Sequence, residues 1–149
     1  MRAVVQRVSK AVLEIDGQMI SQIGNGLLVY VGVGRDDSDA DAEFMAEKIA
    51  GLRIFEDAEG KMNLGLQDVG GGLLVVSNFT VYGDCRKGRR PGFDDSALPK
   101  EAERLYELMI SLLRNKGVCV EMGKFGAHMN IESVNDGPVN FLLDSKRLF

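Results

Sequence analysis

Two strongly apolar runs, Leu27 to Val33 and Leu73 to Phe79, restrict this chain more than any other feature. The first is apolar throughout. A strand without a polar face suits burial on both sides. The second runs through Leu73-Leu74-Val75-Val76 and ends in the hydroxyl-bearing Ser77-Asn78-Phe79-Thr80. The rest of the chain must therefore supply cover for such strands.

Other segments fit around these two. Met1 to Val8 alternates like a strand. Ala11 to Ile15 and Gln18 to Ile23 flank Asp16-Gly17, a strong hairpin signal. Ser38 is placed to cap a helix, with Asp41 three residues on. Ala42, Met45, Ile49 and Leu52 then recur at helical spacing. Asp57 to Gly60 and Gly70-Gly71-Gly72 read as turns. Tyr82 to Leu98 carries Gly83, Gly88, Pro91 and Gly92 and reads as a long loop of the kind that often serves function. Pro99 suits the first turn of a second helix. Its apolar stripe is Ala102, Leu105, Tyr106, Met109 and Leu112, and Gly117 ends it. Val118 to Met122, Ala127 to Val134 and Val139 to Leu143 read as closing strands. The order predicts an α+β fold with a mostly antiparallel, barrel-like sheet and two main helices. With no repeat or linker, residues 1–149 are expected to form one domain.

Bulk properties narrow the chemistry. No apolar run is long enough to span a bilayer, and the first residues lack the form of a signal peptide. Cys85 and Cys119 lie far apart without metal-ligand spacing, which points to a reduced cytoplasmic setting. A single histidine, His128, argues against a multi-histidine metal site. Its alternation with Asn130 and Glu132 suggests a rim position. Neither Gly24-Asn25-Gly26 nor Gly70-Gly71-Gly72 has the context of a phosphate loop. No metal or cofactor is expected. The net charge of −4 does not favour nucleic acid. Yet Arg86, Lys87, Arg89 and Arg90 sit together around Gly88, and a local basic field acts over its own neighbourhood. As residues alone, they also fit a solvated loop.

Asn135-Asp136-Gly137-Pro138-Val139-Asn140 is the second unusual segment. Proline cannot donate to a sheet ladder, and glycine reaches backbone angles closed to other residues. The pair implies a rigid corner rich in carbonyls. Ser77 and Thr80 supply hydroxyls, which can equally satisfy local backbone groups. With no base, metal or carboxylate pair in view, catalysis would have to use backbone donors and positioning. Such donors carry much of a barrier reduction for an already activated ester.

At these residues the sequence resembles the D-aminoacyl-tRNA deacylase (D-tyrosyl-tRNA deacylase) family. The likeness runs the whole length: Met1-Arg2-Ala3-Val4-Val5-Gln6-Arg7-Val8, Gly26-Leu27-Leu28-Val29, Arg53-Ile54-Phe55, Asp57-Ala58-Glu59-Gly60-Lys61-Met62-Asn63, Ser77-Asn78-Phe79-Thr80, Arg90-Pro91, Gly126-Ala127-His128-Met129 and Asn135-Asp136-Gly137-Pro138-Val139. It implies a homodimer that hydrolyses the ester joining a D-amino acid, or glycine, to tRNA. It further implies a cis Gly-Pro bond that enters the partner subunit's pocket. There the carbonyls of Gly137 and Pro138 hold the substrate's ammonium and exclude L side chains. Arg7 orients this corner. Ser77, Phe79 and Thr80 form the catalytic pocket, with Asn78 among the substrate contacts. The N–H groups of Phe79 and Thr80 meet the ester carbonyl, and the RNA's terminal hydroxyl assists the attacking water. The basic loop would hold the aminoacyl-tRNA. Two departures stand out: Asn78 replaces the family's glutamine and Asn140 its threonine. They leave open an alternative, a catalytically weakened tRNA-binding module on the same scaffold.

Overall fold

The spine of the fold is β1, which runs unbroken over Arg2–Ile15. The computed structural model describes residues 1–148. Strand β1 is followed by β2 (Gln18–Ile23), β3 (Gly26–Gly32), α1 (Asp39–Gly51), β4 (Phe55–Glu56) and β5 (Met62–Leu64). Then come β6 (Gly72–Ser77), a 3₁₀ turn (Phe79–Tyr82), α2 (Pro99–Asn115), β7 (Cys119–Met122) and β8 (Asn130–Asp144).

The main sheet has the order β2-β1-β3-β6-β7, with β8 paired to β1. One edge of β1 is shared by β3, along Arg2 to Val8, and β2, along Ala11 to Ile15. The other edge is covered by β8. These pairings are antiparallel, as is β4 with β5. The pairs β3 with β6 and β6 with β7 are parallel. The sheet is therefore mixed, with most pairings antiparallel. It curls until its ends meet: the Ser21 hydroxyl on β2 donates to the Met122 carbonyl on β7 at 2.6 Å. The result is an α+β fold built on a nearly closed barrel.

The apolar runs are explained by two cores. On β3, Leu27, Val29 and Val31 join the core beneath the helices, while Leu28 faces the barrel interior. On β6, Leu73 and Val75 take the first side, and Leu74 and Val76 the second. A period-2 strand with a core on each face has no place for polar residues. Helices α1 and α2 cover the first core with Met45, Ile49, Leu105, Tyr106 and Met109. The Tyr106 hydroxyl is itself satisfied by the Val75 carbonyl at 2.8 Å.

Three boundaries differ from the sequence expectation. The expected break between Val8 and Ala11 is instead a bend within β1. Ala3 and Val5 join the first core, whereas Val8, Ala11 and Leu13 join the second, so the buried odd-numbered residues change sides between Val5 and Ala11. The ladder to β8 is irregular at the same place, and a bulge is what moves side chains to the other face. The last two of the three expected closing strands, Ala127 to Val134 and Val139 to Leu143, are likewise one long β8 that begins at Asn130 and is interrupted in pairing but not in direction. Finally, β6 stops at Ser77, and Phe79 opens a 3₁₀ turn instead of ending a strand.

Candidate active site

The end of β6 builds the first half of the site. The Asn78 N–H continues the ladder by donating to Val31 O at 2.8 Å. The chain then turns into Phe79–Tyr82, and Asn78 caps that turn: its Oδ1 accepts from Thr80 N at 3.1 Å and from Thr80 Oγ1 at 2.5 Å. Asparagine is among the best capping residues because its short arm reaches back to such an N–H. The Thr80 N–H, expected to face a substrate carbonyl, is thus held by the side chain before it. The Phe79 N–H has no partner among the described residues.

The far end of this turn is held by Tyr82, whose hydroxyl donates to Asp37 Oδ2 at 3.3 Å. The Arg2 guanidinium lies over its ring at 4.5 Å. Gly32 and Gly34 make room for it: a Cβ on Gly34 would lie 2.6 Å from the phenol oxygen. Burial, with the Asp37 charge beside it, raises the Tyr82 pKa far above its ordinary value, so the phenol stays a donor. Sequence reasoning did not find this support, although two glycines at the end of an apolar run signal close packing.

A cavity of about 690 Å³ opens beside the turn. Ser77, Asn78, Phe79, Phe93, Tyr30 and His128 are among its lining residues. His128 is an exposed residue of this rim, as its alternation suggested. Burial raises the Tyr30 pKa, which keeps its hydroxyl protonated.

The second half of the site lies on β8. Gln6 pairs with Asn140, and Val8 with Asn135. Residues 136–139 therefore stand opposite Arg7 alone, and the extra length bulges out of the sheet. The Gly137-Pro138 bond at its tip is cis, and Gly137 has φ +136°. Arg7 is buried beneath it. Its Nε donates to Asp136 O at 3.1 Å and its Nη1 to Ile54 O at 2.9 Å. The carboxylates of Asp136 and Glu56 lie 3.2 and 3.6 Å from the guanidinium. Asn135 closes the other side, donating through Nδ2 to Arg7 O at 3.1 Å and Val139 O at 3.3 Å. Asn140 belongs to this clasp, its Oδ1 accepting from Gln6 at 3.0 Å and Asn135 at 3.2 Å. The carbonyls flanking the corner are thereby satisfied. Gly137 and Pro138 have no ladder partner on β1, and among the described residues no side chain donates to their carbonyls. Neither Gly137, Pro138 nor Arg7 lines the cavity of its own chain. The sequence-predicted residues thus form two separate groups within the chain.

Near the first group lies the basic loop. Asp84 and Gly92 exchange two backbone hydrogen bonds, at 2.8 and 2.9 Å, which makes residues 84–92 a hairpin-like excursion. Arg86 grips Asp84 through Nε and Nη2 at 2.9 and 2.8 Å. That grip holds the Asp84 pKa down at about 2. Lys87, Arg89 and Arg90 are exposed at the tip.

Fold and site together define a class: a nearly closed mixed barrel with two helices, an amide-capped turn on a cavity, and a braced carbonyl corner on the long last strand. The family model described as D-Tyr-tRNA(Tyr) deacylase matches residues 4–144. D-aminoacyl-tRNA deacylases of Thermotoga petrophila and Anaeromyxobacter dehalogenans are 56% and 59% identical to the chain, each over all of both chains. A solved structure titled c-Myc DNA Unwinding Element Binding Protein superimposes with a TM-score of 0.91 at 38% identity, covering 97% of this chain and 98% of that one. A probable eukaryotic D-amino acid tRNA deacylase shares the fold, with a TM-score of 0.82 at 17% identity over 95% and 97% of the two chains. The chain belongs to the D-Tyr-tRNA(Tyr) deacylase family, and its enzymatic class is that of a hydrolase.

Proposed function

We propose that this chain hydrolyses the ester of D-aminoacyl-tRNA, and of glycyl-tRNA, as a cytoplasmic homodimer. The observation that carries the cross-subunit part is the pair of unpartnered carbonyls at Gly137 and Pro138. Arg7 and Asn135 hold the carbonyls on either side of them, those of Asp136 and Val139, and Gly137 and Pro138 stand away from their own chain's cavity. Carbonyl oxygens are acceptors, and the substrate's α-ammonium is the donor that suits them. In a second copy's cavity they would form a wall that an L side chain meets and a D side chain avoids. Glycine, with no side chain, passes.

The chemistry falls to the turn after β6. Phe79 N–H meets the ester oxygen at once, and Thr80 N–H joins it when Asn78 Oδ1 lets go. The RNA's terminal hydroxyl helps the attacking water. Lys87, Arg89 and Arg90 hold RNA phosphates, with Arg86 partly neutralised by Asp84. A second possibility draws on Asn78: if its cap on Thr80 never opens, the protein is a weakened tRNA-binding module.

Deacylation of D-tyrosyl-, L-tyrosyl- and glycyl-tRNA tests these together. Fast loss of the first and last with L-tyrosyl-tRNA spared supports the proposal, and no deacylation with tRNA still bound supports the module. Thr80→Ala should keep substantial activity, because a hydroxyl without a base is not a nucleophile. A loss of about 10⁴-fold, the size seen for true nucleophiles, would instead mean covalent catalysis. Sedimentation at micromolar concentration should give a dimer, and a fully active monomer would refute catalysis across subunits.

A further inference from the structure

Phe79 opens the turn proposed to meet the ester, yet its ring is left 58% exposed. One aromatic partner lies against it. Phe93 meets it edge-on, with ring centroids 4.9 Å apart and planes at 69°. That geometry sets the positive ring edge against the negative face. Phe93 follows Gly92 directly, and Gly92 closes the basic hairpin through its two bonds to Asp84. On its other side the chain is tied to the end of β3: Arg35 N donates to Asp95 O, and Ala97 N to Val33 O, both at 2.9 Å. Phe93 is therefore seated on a fixed base, next to the loop that carries the cations.

The packing is also built from the opposite direction. Gly83 ends the 3₁₀ turn, its N–H bonded to Thr80 O at 2.9 Å. A Cβ on Gly83 would lie 3.2 Å from Phe93 Cε1 and 3.0 Å from Thr80 O. The absence of a side chain at Gly83 lets the Phe93 ring approach the turn closely.

We infer that Phe93 is a positioning residue: it transmits the placement of the basic hairpin to the Phe79-Thr80 backbone. This rests on the proposal that this backbone faces the ester. RNA phosphates held at the hairpin tip would then fix the turn through one ring pair. Binding energy far from the bond would appear as rate, not only as affinity.

The test compares wild type, Phe93→Ala, Phe93→Leu and Phe93→Tyr on D-tyrosyl-tRNA in single-turnover assays at saturating enzyme. Uncharged tRNA affinity and thermal unfolding are measured in parallel. Phe93→Ala should lower the saturated rate about three- to tenfold, the effect that one edge-to-face pair can carry, while tRNA affinity stays within about twofold. Phe93→Tyr keeps the ring and should restore the rate. Phe93→Leu fills much of the space without an aromatic edge, so it should remain slow while folded, and it serves if the alanine variant does not fold. An unchanged saturated rate in folded Phe93→Ala or Phe93→Leu overturns the inference. So does a loss confined to tRNA affinity, which would make Phe93 an RNA-binding residue only. A wild type inert on D-tyrosyl-tRNA would instead refute the proposed function.

Discussion

Replacing Arg7 with alanine should cost about 3 kcal/mol of stability and erode chiral selectivity. The magnitude follows from what the guanidinium touches. Its bond to Ile54 O is buried, so removal leaves a carbonyl without water or partner. Hydrogen bonds from charged donors are worth about 1.5–3 kcal/mol each. The bond to Asp136 O is only partly buried, and water can replace some of it. The ion pairs add little. Glu56 and Asp136 side chains are 56% and 53% exposed, and pairs with exposed partners contribute about 0–1 kcal/mol. The sum is dominated by the two carbonyls. Urea denaturation at fixed chain concentration measures it, because the apparent stability of the proposed dimer depends on concentration. The D-Tyr to L-Tyr deacylation ratio of the folded variant reads the corner itself. Arg7→Lys keeps the charge but has one ammonium for two separated carbonyls, so it should recover only part of both. A stability change below about 1 kcal/mol, or a wild-type ratio in Arg7→Ala, would refute the bracing role of Arg7.

Gly137→Ala should shift the corner, because Gly137 has φ +136° and an added Cβ would lie 2.6 Å from Val139 Cγ2 and 2.8 Å from Val139 N. The cost is about 1–3 kcal/mol, and the D/L ratio should fall while tRNA affinity holds. Changing Lys87 and Arg89 to alanine should lower the log–log salt slope of tRNA binding by roughly 0.7–0.9 for each phosphate no longer neutralised. Arg86→Ala should change it less, since Asp84 already engages that cation. The last prediction concerns acid stability. Burial raises the Asp41 pKa, but hydrogen bonds from Lys146, Ser145 and Ser38 outweigh it and hold the carboxyl well below its ordinary value. A folded-state pKa below the unfolded one stabilises above the unfolded value of about 3.9 and is lost as pH falls below it. Asp41→Asn should therefore destabilise at neutral pH and flatten the acid limb of a stability–pH curve. An equally steep limb would assign acid unfolding to other carboxylates.

The sequence by itself determined the elements whose signal is local. Leu27 to Val33 announced a strand covered on both faces, and two cores meet there. Pro99 and the stripe through Leu105, Tyr106 and Met109 located α2 because a helix writes its buried face at a fixed period. The two chemical segments showed through local signals: an apolar run that ends in the hydroxyls of Ser77 and Thr80, and a proline at Pro138 that cannot donate to a ladder. Tertiary structure decided what depends on distant partners. Whether β3, β6 and β7 run parallel is set by crossovers, and no strand carries that information alone. Continuity of β1 through Ser9-Lys10 depends on β8 pairing across its bend. An arginine in an alternating strand says nothing of Ile54 or Asp136, far away in the chain, which make its burial tolerable. The cap on Thr80 needed the actual turn, since Asn78 Oδ1 reaches that N–H only in the conformation the chain takes after β6. The placement of the carbonyl corner outside its own cavity is likewise a matter of long-range geometry. Periodicity reports which side of an element is buried; only the folded chain reports against what.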